Sequence, residues 1–465
     1  MPIDATPMTS VNAERQSGQV LDQQLPDVES LQPVLELALD TAKAAGASAC
    51  ATGLAVSTAL SVNVRMGEVE TVEFQNDRDL GVTVYVGQRK GSASTADLSE
   101  AAVREAVEAA VAIARHSGED PYAGLADPAR MATTFADLDA DHPWVLDTDA
   151  AIEQALRCEA AALADKRISN SDGASLDTRR GLSLYANSHG FHGWRRGTDH
   201  SLSCAVVAGE GEAMQRDYWY TAARHRQDLL AAERVGEIAA SRTLARLNGR
   251  GLSTRQVPVL FPAELARGLI GSLVGAISGG ALYRKASFLL DKAGESIFAD
   301  HIQIRQLPFL PRAMGSANYD SEGVATVERE IISNGVLQGY VLGSYSARRL
   351  GLESTGNAGG VYNLCVEPGE LDQSAMLKQM GSGLLVTELM GQGANTVTGD
   401  YSRGGSGFWI ENGEIAYPVQ NITIAGNLLE MYRAIEAVGN DVDTRGNIRC
   451  GSLLIGKMTV AGNEG

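Results

Sequence analysis

The first half of the chain alternates between helical and strand-like patterns of apolar residues. Apolar positions lie three or four residues apart in four segments, which predicts helices at 28–45, 98–116, 150–166 and 229–247. Short alternating segments predict strands at 60–64, 69–74 and 81–86, and further polar, glycine-punctuated strands from 168 to 223. This order predicts an α+β domain whose antiparallel sheet carries helices on one face.

The pattern changes after the turn-forming residues 248–251. Beyond them only 262–280 and 371–380 have helical periodicity. Two Asn-Gly pairs, Asn334-Gly335 and Asn412-Gly413, lie between apolar runs, and this dipeptide favours the positive φ angles of a two-residue hairpin turn. The second half is therefore predicted as a β-rich region of antiparallel hairpins with few helices.

These patterns divide the chain into three predicted parts. They are a mobile N-terminal tail (1–27), an N-terminal α+β domain (28–249) and a C-terminal β-rich domain (250–465). A length of 465 residues agrees with two domains.

Composition narrows the possible environments and partners. The chain has 39 basic and 57 acidic residues, a net charge of -18, which disfavours nucleic acid and anionic membranes as partners. Five cysteines, an odd number and widely spaced, favour a reducing compartment. The first residues lack a basic region followed by an apolar run, so we expect no signal peptide and a cytoplasmic protein.

Histidines and cysteines offer the first candidates for chemistry. His189, His192 and His200 lie close together, but without a carboxylate or thiolate at ligand spacing we interpret them as an exposed hairpin tip. Cys158 and Cys204 fall in apolar patterns and are expected to be buried, inert thiols.

Two glycine-containing segments are further candidates. In segment 262–280 small residues recur on one face, at Gly268, Gly271, Gly275 and Gly279. Such a face admits another backbone, and we favour packing inside the same domain over a partner subunit. In the second segment, 400–407, polar residues between glycines are interpreted either as a peptide-contacting loop or as a structural turn. Its candidate substrate contacts are Asp400, Tyr401, Ser402 and Arg403.

Several long motifs in the C-terminal half resemble the TldD/PmbA family, also known as peptidase U62 or modulator of DNA gyrase. The resemblance is nearest to the PmbA (TldE) branch. It rests on Gly391-Gln392-Gly393-Ala394-Asn395, on the run from Gly399 to Gly413, on Val419 to Asn427 and on Val438-Gly439-Asn440-Asp441. The resemblance implies a two-domain subunit of a dimeric intracellular metallopeptidase that acts on peptides or unfolded segments.

The resemblance also bears on the metal. In the catalytic TldD branch a His-Glu-x-x-x-His helix and a distant cysteine bind zinc, and the glutamate acts as a base on zinc-bound water. Aligned through Gly268-Leu269-Ile270-Gly271, these positions fall on Pro262, Ala263 and Arg267, whereas the cysteine matches Cys450. The resemblance therefore implies no metal in this chain and a zinc ion in a TldD-like partner.

Three hypotheses follow for the function. The first is a subunit that encloses peptides and forms a heterodimer with a TldD-like metallopeptidase, with homodimers also possible. The second is a free-standing homodimeric peptide-binding or scaffold protein without catalysis. The third is a thiol hydrolase that uses Cys450, although no histidine lies close to that cysteine in the sequence.

Overall fold

A computed structural model of the protein describes residues 24–462. The first part of the chain forms a six-stranded antiparallel sheet in the order β3-β2-β1-β4-β5-β6. Its strands are β1 (Ala49–Arg65), β2 (Glu68–Val86), β3 (Arg89–Thr95), β4 (Ile168–Asn187), β5 (His192–Ala208) and β6 (Gln215–Ala223). The segments predicted at 60–64, 69–74 and 81–86 are thus pieces of two long strands.

Four helices cover one face of this sheet. They are α1 (Val28–Ala44), α2 (Glu100–His116), α3 (Thr148–Leu163) and α4 (Ala232–Ala245). Even-numbered residues of β1 point towards them: Leu54 and Val56 pack with α1 and α2, whereas Leu60 and Val62 pack with α3 and α4. The predicted α+β class with helices on one face is confirmed. The predicted tail, 1–27, lies mostly outside the described residues.

The second part of the chain is built around a closed barrel. Its elements are β7 (Arg255–Phe261), α5 (Ala263–Ala276), α6 (Gly279–Tyr283), β8 (Ile304–Gln306), β9 (Arg329–Ser333), β10 (Val336–Leu337), α7 (Ser344–Leu350), β11 (Leu364–Val366), α8 (Gln373–Met380), β12 (Gly383–Met390), β13 (Asp400–Glu411), β14 (Glu414–Asn427), α9 (Leu428–Arg433), β15 (Ile435–Val438), β16 (Ile448–Arg449) and β17 (Leu453–Ala461). Strands β14, β13, β12, β7 and β17 pair in that order, and a β14–β17 pairing closes the ring.

Both predicted Asn-Gly hairpins are present. Asn334 and Gly335 have φ angles of 49° and 74°, and Asn412 and Gly413 have φ angles of 53° and 79°. They join β9 to β10 and β13 to β14. Positive φ at both central positions is the conformation that the dipeptide favours.

The prediction of a single helix at 262–280 is wrong, because the helix is interrupted at Ile277 and Ser278. The Ser278 side chain donates to the carbonyl of Gly275 (2.8 Å) and accepts from the amide of Ala281 (3.4 Å), so it ends α5 and caps α6. The Gly279 amide donates to the Val341 carbonyl (2.9 Å). Two other short helices, α7 and α9, were not predicted, since six or seven residues carry little periodicity.

The segment 400–407 is a strand rather than the predicted loop. It forms the first part of β13 and pairs with β12 and β14. Gly407 makes this possible, because a Cβ there would collide with the backbone carbonyl of Leu385. The glycines in this segment therefore allow close approach of two strands.

An irregular segment from 120 to 147 ties the two parts together. The Arg348 guanidinium on α7 donates to the carbonyls of Tyr122, Gly124 and Leu125 at 2.7, 2.8 and 2.9 Å. Met131 pairs with Val324 as an isolated β-bridge. Among residues 24–462, no helix is long and apolar enough to cross a membrane.

Candidate functional site

The N-terminus of α5 follows directly from a buried strand of the barrel. Val259, Leu260 and Phe261 of β7 are completely buried, and Pro262 then starts the helix as its N-cap residue with φ of -63°. The Pro262 carbonyl accepts hydrogen bonds from the amides of Leu265 and Ala266, both at 2.8 Å. Proline suits the start of a helix, because its φ angle is already helical and the backbone N–H that it lacks would have no partner within the helix. Ala263 is also buried.

Arg267, one turn further along α5, faces a cluster of charged and aromatic side chains. Its Nη2 lies 3.0 Å from the Tyr220 hydroxyl and its Nη1 lies 3.7 Å from Asp443 Oδ2. Asp443 also accepts two hydrogen bonds from Arg445. Arg445 Nε lies 2.9 Å from Oδ1, and Arg445 Nη2 lies 2.9 Å from Oδ2. We call Arg267, Asp443, Arg445, Trp219 and Tyr220 the arginine cluster.

Asp443 is the ionised centre of the arginine cluster. Burial alone raises the pKa of this carboxyl, but hydrogen bonds from the Arg445 side chain and backbone, with the charges of Arg445 and Arg267, hold it below its usual value. The Arg445 guanidinium also stacks over the Trp219 and Tyr220 rings, at 4.5 and 4.2 Å from their centroids. The cluster therefore joins β6 of the first sheet to the C-terminal barrel region.

Cys450 lies next to the arginine cluster but inside the core. Its backbone carbonyl accepts from the Asp443 amide (3.0 Å), and its thiol donates to the Gly451 carbonyl (3.1 Å). Burial, together with the charges of Asp441 and Asp443, raises the pKa of this thiol. A fully buried thiol of this kind is a poor nucleophile, which disfavours the thiol hydrolase hypothesis.

Residues at the start of α5 do not offer a ligand set for zinc. Pro262 and Ala263 carry no side-chain donor atom, and Arg267 is a cation. Glu264, in the same turn, is paired with Arg242 at 2.9 Å, and burial of Cys450 favours its protonated thiol. Within residues 24–462 no group of three or more His, Cys, Asp or Glu side chains is placed to hold a metal ion.

The predicted histidine cluster is not one unit. His189 and His192 are exposed near the tip of the β4–β5 hairpin, as predicted. The prediction is wrong for His200, which is only 1% exposed because it lies on the covered side of β5. One ring nitrogen lies 2.7 Å from Thr178 Oγ1 and the other 3.0 Å from the His142 carbonyl. Cys158 and Cys204 are buried, as predicted.

A pocket of about 220 Å³ lies between α5 and the turn that follows β12. We call it the α5 pocket. Its lining residues are Leu265, Gly268, Leu269 and Ser272 from α5, Leu389, Gly391, Gln392, Gly393 and Ala394 from the turn, and Tyr401 and Arg403 from β13. Gly268 leaves it open, because a Cβ there would meet nothing within 4 Å.

The four candidate residues of β13 separate into two pairs. Tyr401 and Arg403 line the α5 pocket, whereas Asp400 and Ser402 are exposed. Pairing with β14 on one side and with the 393–395 backbone on the other occupies this part of the strand. Side chains, rather than a free strand edge, are therefore what β13 offers to a ligand.

The four glycines of segment 262–280 differ in how closely their neighbours pack. Gly279, beyond the break, is packed so closely that a Cβ would collide with Ser346. Gly271 and Gly275 have looser neighbours, Ile448 and Thr396, at 3.8 and 3.5 Å from the built Cβ. Internal packing, the favoured interpretation, thus holds for Gly279, while Gly268 faces the pocket.

Comparison with known proteins identifies the family of this chain. Three family descriptions match successive stretches: PmbA/TldA metallopeptidase domain 1 at 54–114, the central domain at 141–247 and the C-terminal domain at 254–462. The chain belongs to the PmbA/TldD metallopeptidase family.

Individual relatives agree with this assignment. The chain is 51% identical over 442 residues to Metalloprotease PmbA of Escherichia coli O157:H7, covering 94% of this chain and 98% of the relative. A crystal structure from Bacteroides thetaiotaomicron, described as a modulator of DNA gyrase, is 29% identical with a TM-score of 0.90, covering 94% of this chain and all of that one. TldE from Thermococcus kodakarensis shares the fold at 22% identity and a TM-score of 0.81, covering 92% of this chain and all of that one.

The sequence analysis missed the partners of Arg267. Tyr220 lies 47 residues before it, in the other half of the chain. Asp443 and Arg445 lie close to Cys450 in the sequence, and this proximity was the one available signal. The position of Asp443 near Cys450 in the sequence is thus the feature that indicates a counter-ion for Arg267.

Proposed function

We propose that this chain is the PmbA-type subunit of an intracellular TldD–TldE type metallopeptidase. In this arrangement it lacks a zinc site of its own and supplies surface that encloses peptides or unfolded segments. A TldD-like partner carries the zinc and hydrolyses the peptide bond. The protein then works as a heterodimer in the cytoplasm.

The observation that carries the proposal is the ion pair between Arg267 and Asp443. Arg267 matches the second histidine of the TldD motif, and Pro262 and Ala263 match its first histidine and its glutamate. A guanidinium stays protonated at all physiological pH values, so it repels a divalent cation. Its partners Asp443 and Tyr220 hold it in place at 3.7 and 3.0 Å. A cation built into the site supports loss of the metal more strongly than missing ligands alone.

The α5 pocket supports a role in substrate contact. Its lining residues on α5, from Leu265 to Ser272, flank Arg267 in the sequence, so the pocket lies beside the helix turn that the resemblance aligns with the metal motif. Tyr401 and Arg403 provide polar side chains beside the open backbone of Gly268. We propose these two residues as substrate contacts, and Asp400 and Ser402 as exposed neighbours outside the pocket.

The test compares the purified chain, a purified TldD-like metallopeptidase and their mixture. Zinc content is measured by mass spectrometry, association by size-exclusion chromatography with light scattering, and cleavage with an unstructured peptide. We expect less than a tenth of an equivalent of zinc and no cleavage for the chain alone, with cleavage by the heterodimer.

A matched control uses a partner whose zinc-binding histidines are replaced. That mixture should still associate but should not cleave. Stoichiometric zinc with cleavage in the isolated chain would contradict the proposal. A stable homodimer that never associates with a TldD-like protein would support the scaffold hypothesis instead.

A further inference from the structure

The α5 pocket contains two buried polar groups that lack a well-aligned partner in the described part of the chain. The Tyr401 hydroxyl and Arg403 Nε are both inaccessible to solvent, and within residues 24–462 neither has a partner at good hydrogen-bond geometry. Their closest polar interaction is with each other, since the Arg403 side chain is near enough to Tyr401 to oppose the rise in its pKa. Tyr401 as a whole is only 3% exposed. Leaving a buried polar group unpaired costs about 1–3 kcal/mol. Two such groups beside one pocket indicate that a bound ligand supplies hydrogen-bond acceptors for them.

Hydrogen-bonding capacity at the pocket is mainly that of donors. Burial raises the pKa of Tyr401 to about 12, against the smaller opposing effect of Arg403, so the hydroxyl keeps its proton at neutral pH. Arg403 can only donate. Its Nη2 makes one long contact, 3.4 Å, with the Leu389 carbonyl. A ligand group that accepts hydrogen bonds therefore matches these two side chains better than one that donates them.

The charge at the pocket is positive although the protein is acidic. Arg403 is the single ionisable cation among the described lining residues, and no carboxylate is among them. The protein as a whole has a net charge of -18. Planar guanidinium groups match planar carboxylates in a two-bond geometry. An anion with two oxygens in one plane fits this set of donors.

The size and opening of the pocket set the scale of the ligand. About 220 Å³ is room for roughly seven waters at about 30 Å³ each, which is the scale of one amino-acid side chain or chain end. The missing Cβ at Gly268 leaves the α5 backbone open on one side. One side chain or chain end of a peptide can therefore enter the pocket while the flanking residues of the peptide stay outside.

We propose that the α5 pocket binds a peptide carboxylate through Tyr401 and Arg403, an inference that rests on the proposed function. The carboxylate comes either from the C-terminus of the peptide or from an aspartate or glutamate side chain. In both cases the Tyr401 hydroxyl donates to one oxygen and the Arg403 guanidinium donates to the same carboxylate. The pocket thereby selects which part of an unfolded peptide this subunit holds.

The test measures binding of labelled peptides by fluorescence anisotropy. The protein is the heterodimer with a partner inactivated at its catalytic glutamate. Four peptides share one core sequence: a free C-terminus or a C-terminal amide, each combined with an internal Glu or Gln. We expect affinity to fall at least tenfold when the relevant carboxylate is removed. Loss on amidation identifies the chain end as its source, and loss on Glu-to-Gln replacement identifies the side chain.

Variants assign the effect to the pocket. Arg403→Met should abolish the preference for the carboxylate, Arg403→Lys should keep part of it, and Tyr401→Phe should weaken it about three- to tenfold. Arg226→Met removes an exposed arginine elsewhere and is the charge-matched control. Gly268→Leu should block the pocket without loss of helix stability, as checked by thermal unfolding.

Two results would contradict the inference in different ways. Equal affinity for all four peptides, with normal association and partner-dependent cleavage, would overturn the carboxylate pocket alone. Absence of both peptide binding and partner-dependent cleavage would overturn the proposed function and this inference together.

Discussion

Arg267 and Asp443 form an ion pair between α5 and the segment before β16, with Arg267 Nη1 3.7 Å from Asp443 Oδ2. The Asp443 side chain is only 3% exposed and that of Arg267 is 32% exposed. A buried carboxylate shared by two arginines is costly to leave unpaired. This pair therefore makes the stability of the region depend on one side chain, that of Asp443.

Replacement of Asp443 by asparagine tests this dependence. Asp443→Asn leaves the guanidinium of Arg445, 14% exposed, without its anion, and we expect a loss of about 3 kcal/mol in the free energy of unfolding. Urea unfolding at pH 7 measures it. Asp77→Asn, at an exposed position on β2, is the matched control and should change stability by less than about 0.5 kcal/mol. A change as small in Asp443→Asn would contradict the role of the pair.

Acid should remove the same contribution from the unmodified protein. The pKa of Asp443 is lower in the folded state than in the unfolded chain, so protons bind the unfolded chain more readily. Its stabilising contribution is fully present above the unfolded pKa of about 4 and is lost as the pH falls through the folded pKa. Stability measured from pH 6 down to pH 2 should thus fall less steeply in Asp443→Asn than in the unmodified protein.

Two glycines of the segment 262–280 should respond to alanine with opposite sign. Gly268→Ala adds a methyl group to open space inside a helix, and we expect about 0.5–1 kcal/mol of added stability. Gly279→Ala places a Cβ against Ser346 and Leu342, so we expect a loss of about 1–3 kcal/mol. Thermal or urea unfolding of both variants decides the point. Equal effects in both would show that the packing difference is not real.

Local patterns in the sequence predicted elements whose causes are local. The helix from Glu100 begins after Ser99, whose side chain accepts from the Ala102 amide at 3.4 Å, and this cap lies within the sequence window that predicted it. The Asn334-Gly335 and Asn412-Gly413 turns were equally predictable, because the dipeptide itself tolerates the positive φ angles.

Long-range pairing could not be predicted in the same way. Tyr401 lies in a strand only because β14 and the 393–395 backbone pair with it, and neither partner leaves a mark on residues 400–407 themselves. Burial of His200 depends on Thr178 and His142, which lie 22 and 58 residues away. The family resemblance predicted the class of protein, which the comparisons confirm, but it did not predict the Asp443 counter-ion. The loss of zinc ligands at Pro262, Ala263 and Arg267 stays a prediction.

Cysteine reactivity should follow burial. Cys365 is the only half-buried thiol among the five, while Cys50, Cys158, Cys204 and Cys450 are buried. Burial raises the pKa of Cys365, and Arg449 and Arg305 partly oppose that effect. We therefore expect a short iodoacetamide pulse at pH 8.5 to label Cys365 first and the others only after unfolding. Peptide mapping by mass spectrometry gives the order, and rapid labelling of Cys450 would revive the thiol hydrolase hypothesis.

Trp219 should couple energetically to Arg445 across the two parts of the chain. Guanidinium groups of Arg242 and Arg445 lie 5.0 and 4.5 Å from its ring centroid, one from α4 and one from the C-terminal part. Cation–π contacts contribute about 0.5–2 kcal/mol, so a double-mutant cycle of Trp219→Leu and Arg445→Met should give a coupling energy of about 1 kcal/mol.

The same cycle with Tyr218 separates this coupling from general weakening of β6. Tyr218 is 57% exposed and stacks on Tyr220, with ring centroids 6.4 Å apart. Its link to Arg445 is therefore indirect, and Tyr218→Leu should couple to Arg445→Met less than Trp219→Leu does. Urea unfolding measures the five variants of the two cycles and the unmodified protein. Because Arg445 also holds Asp443, loss of Trp219 should weaken the Asp443–Arg267 pair and reduce the effect of Asp443→Asn. Strict additivity of Trp219→Leu with both Arg445→Met and Asp443→Asn would mean that the first sheet does not help to position the arginine cluster.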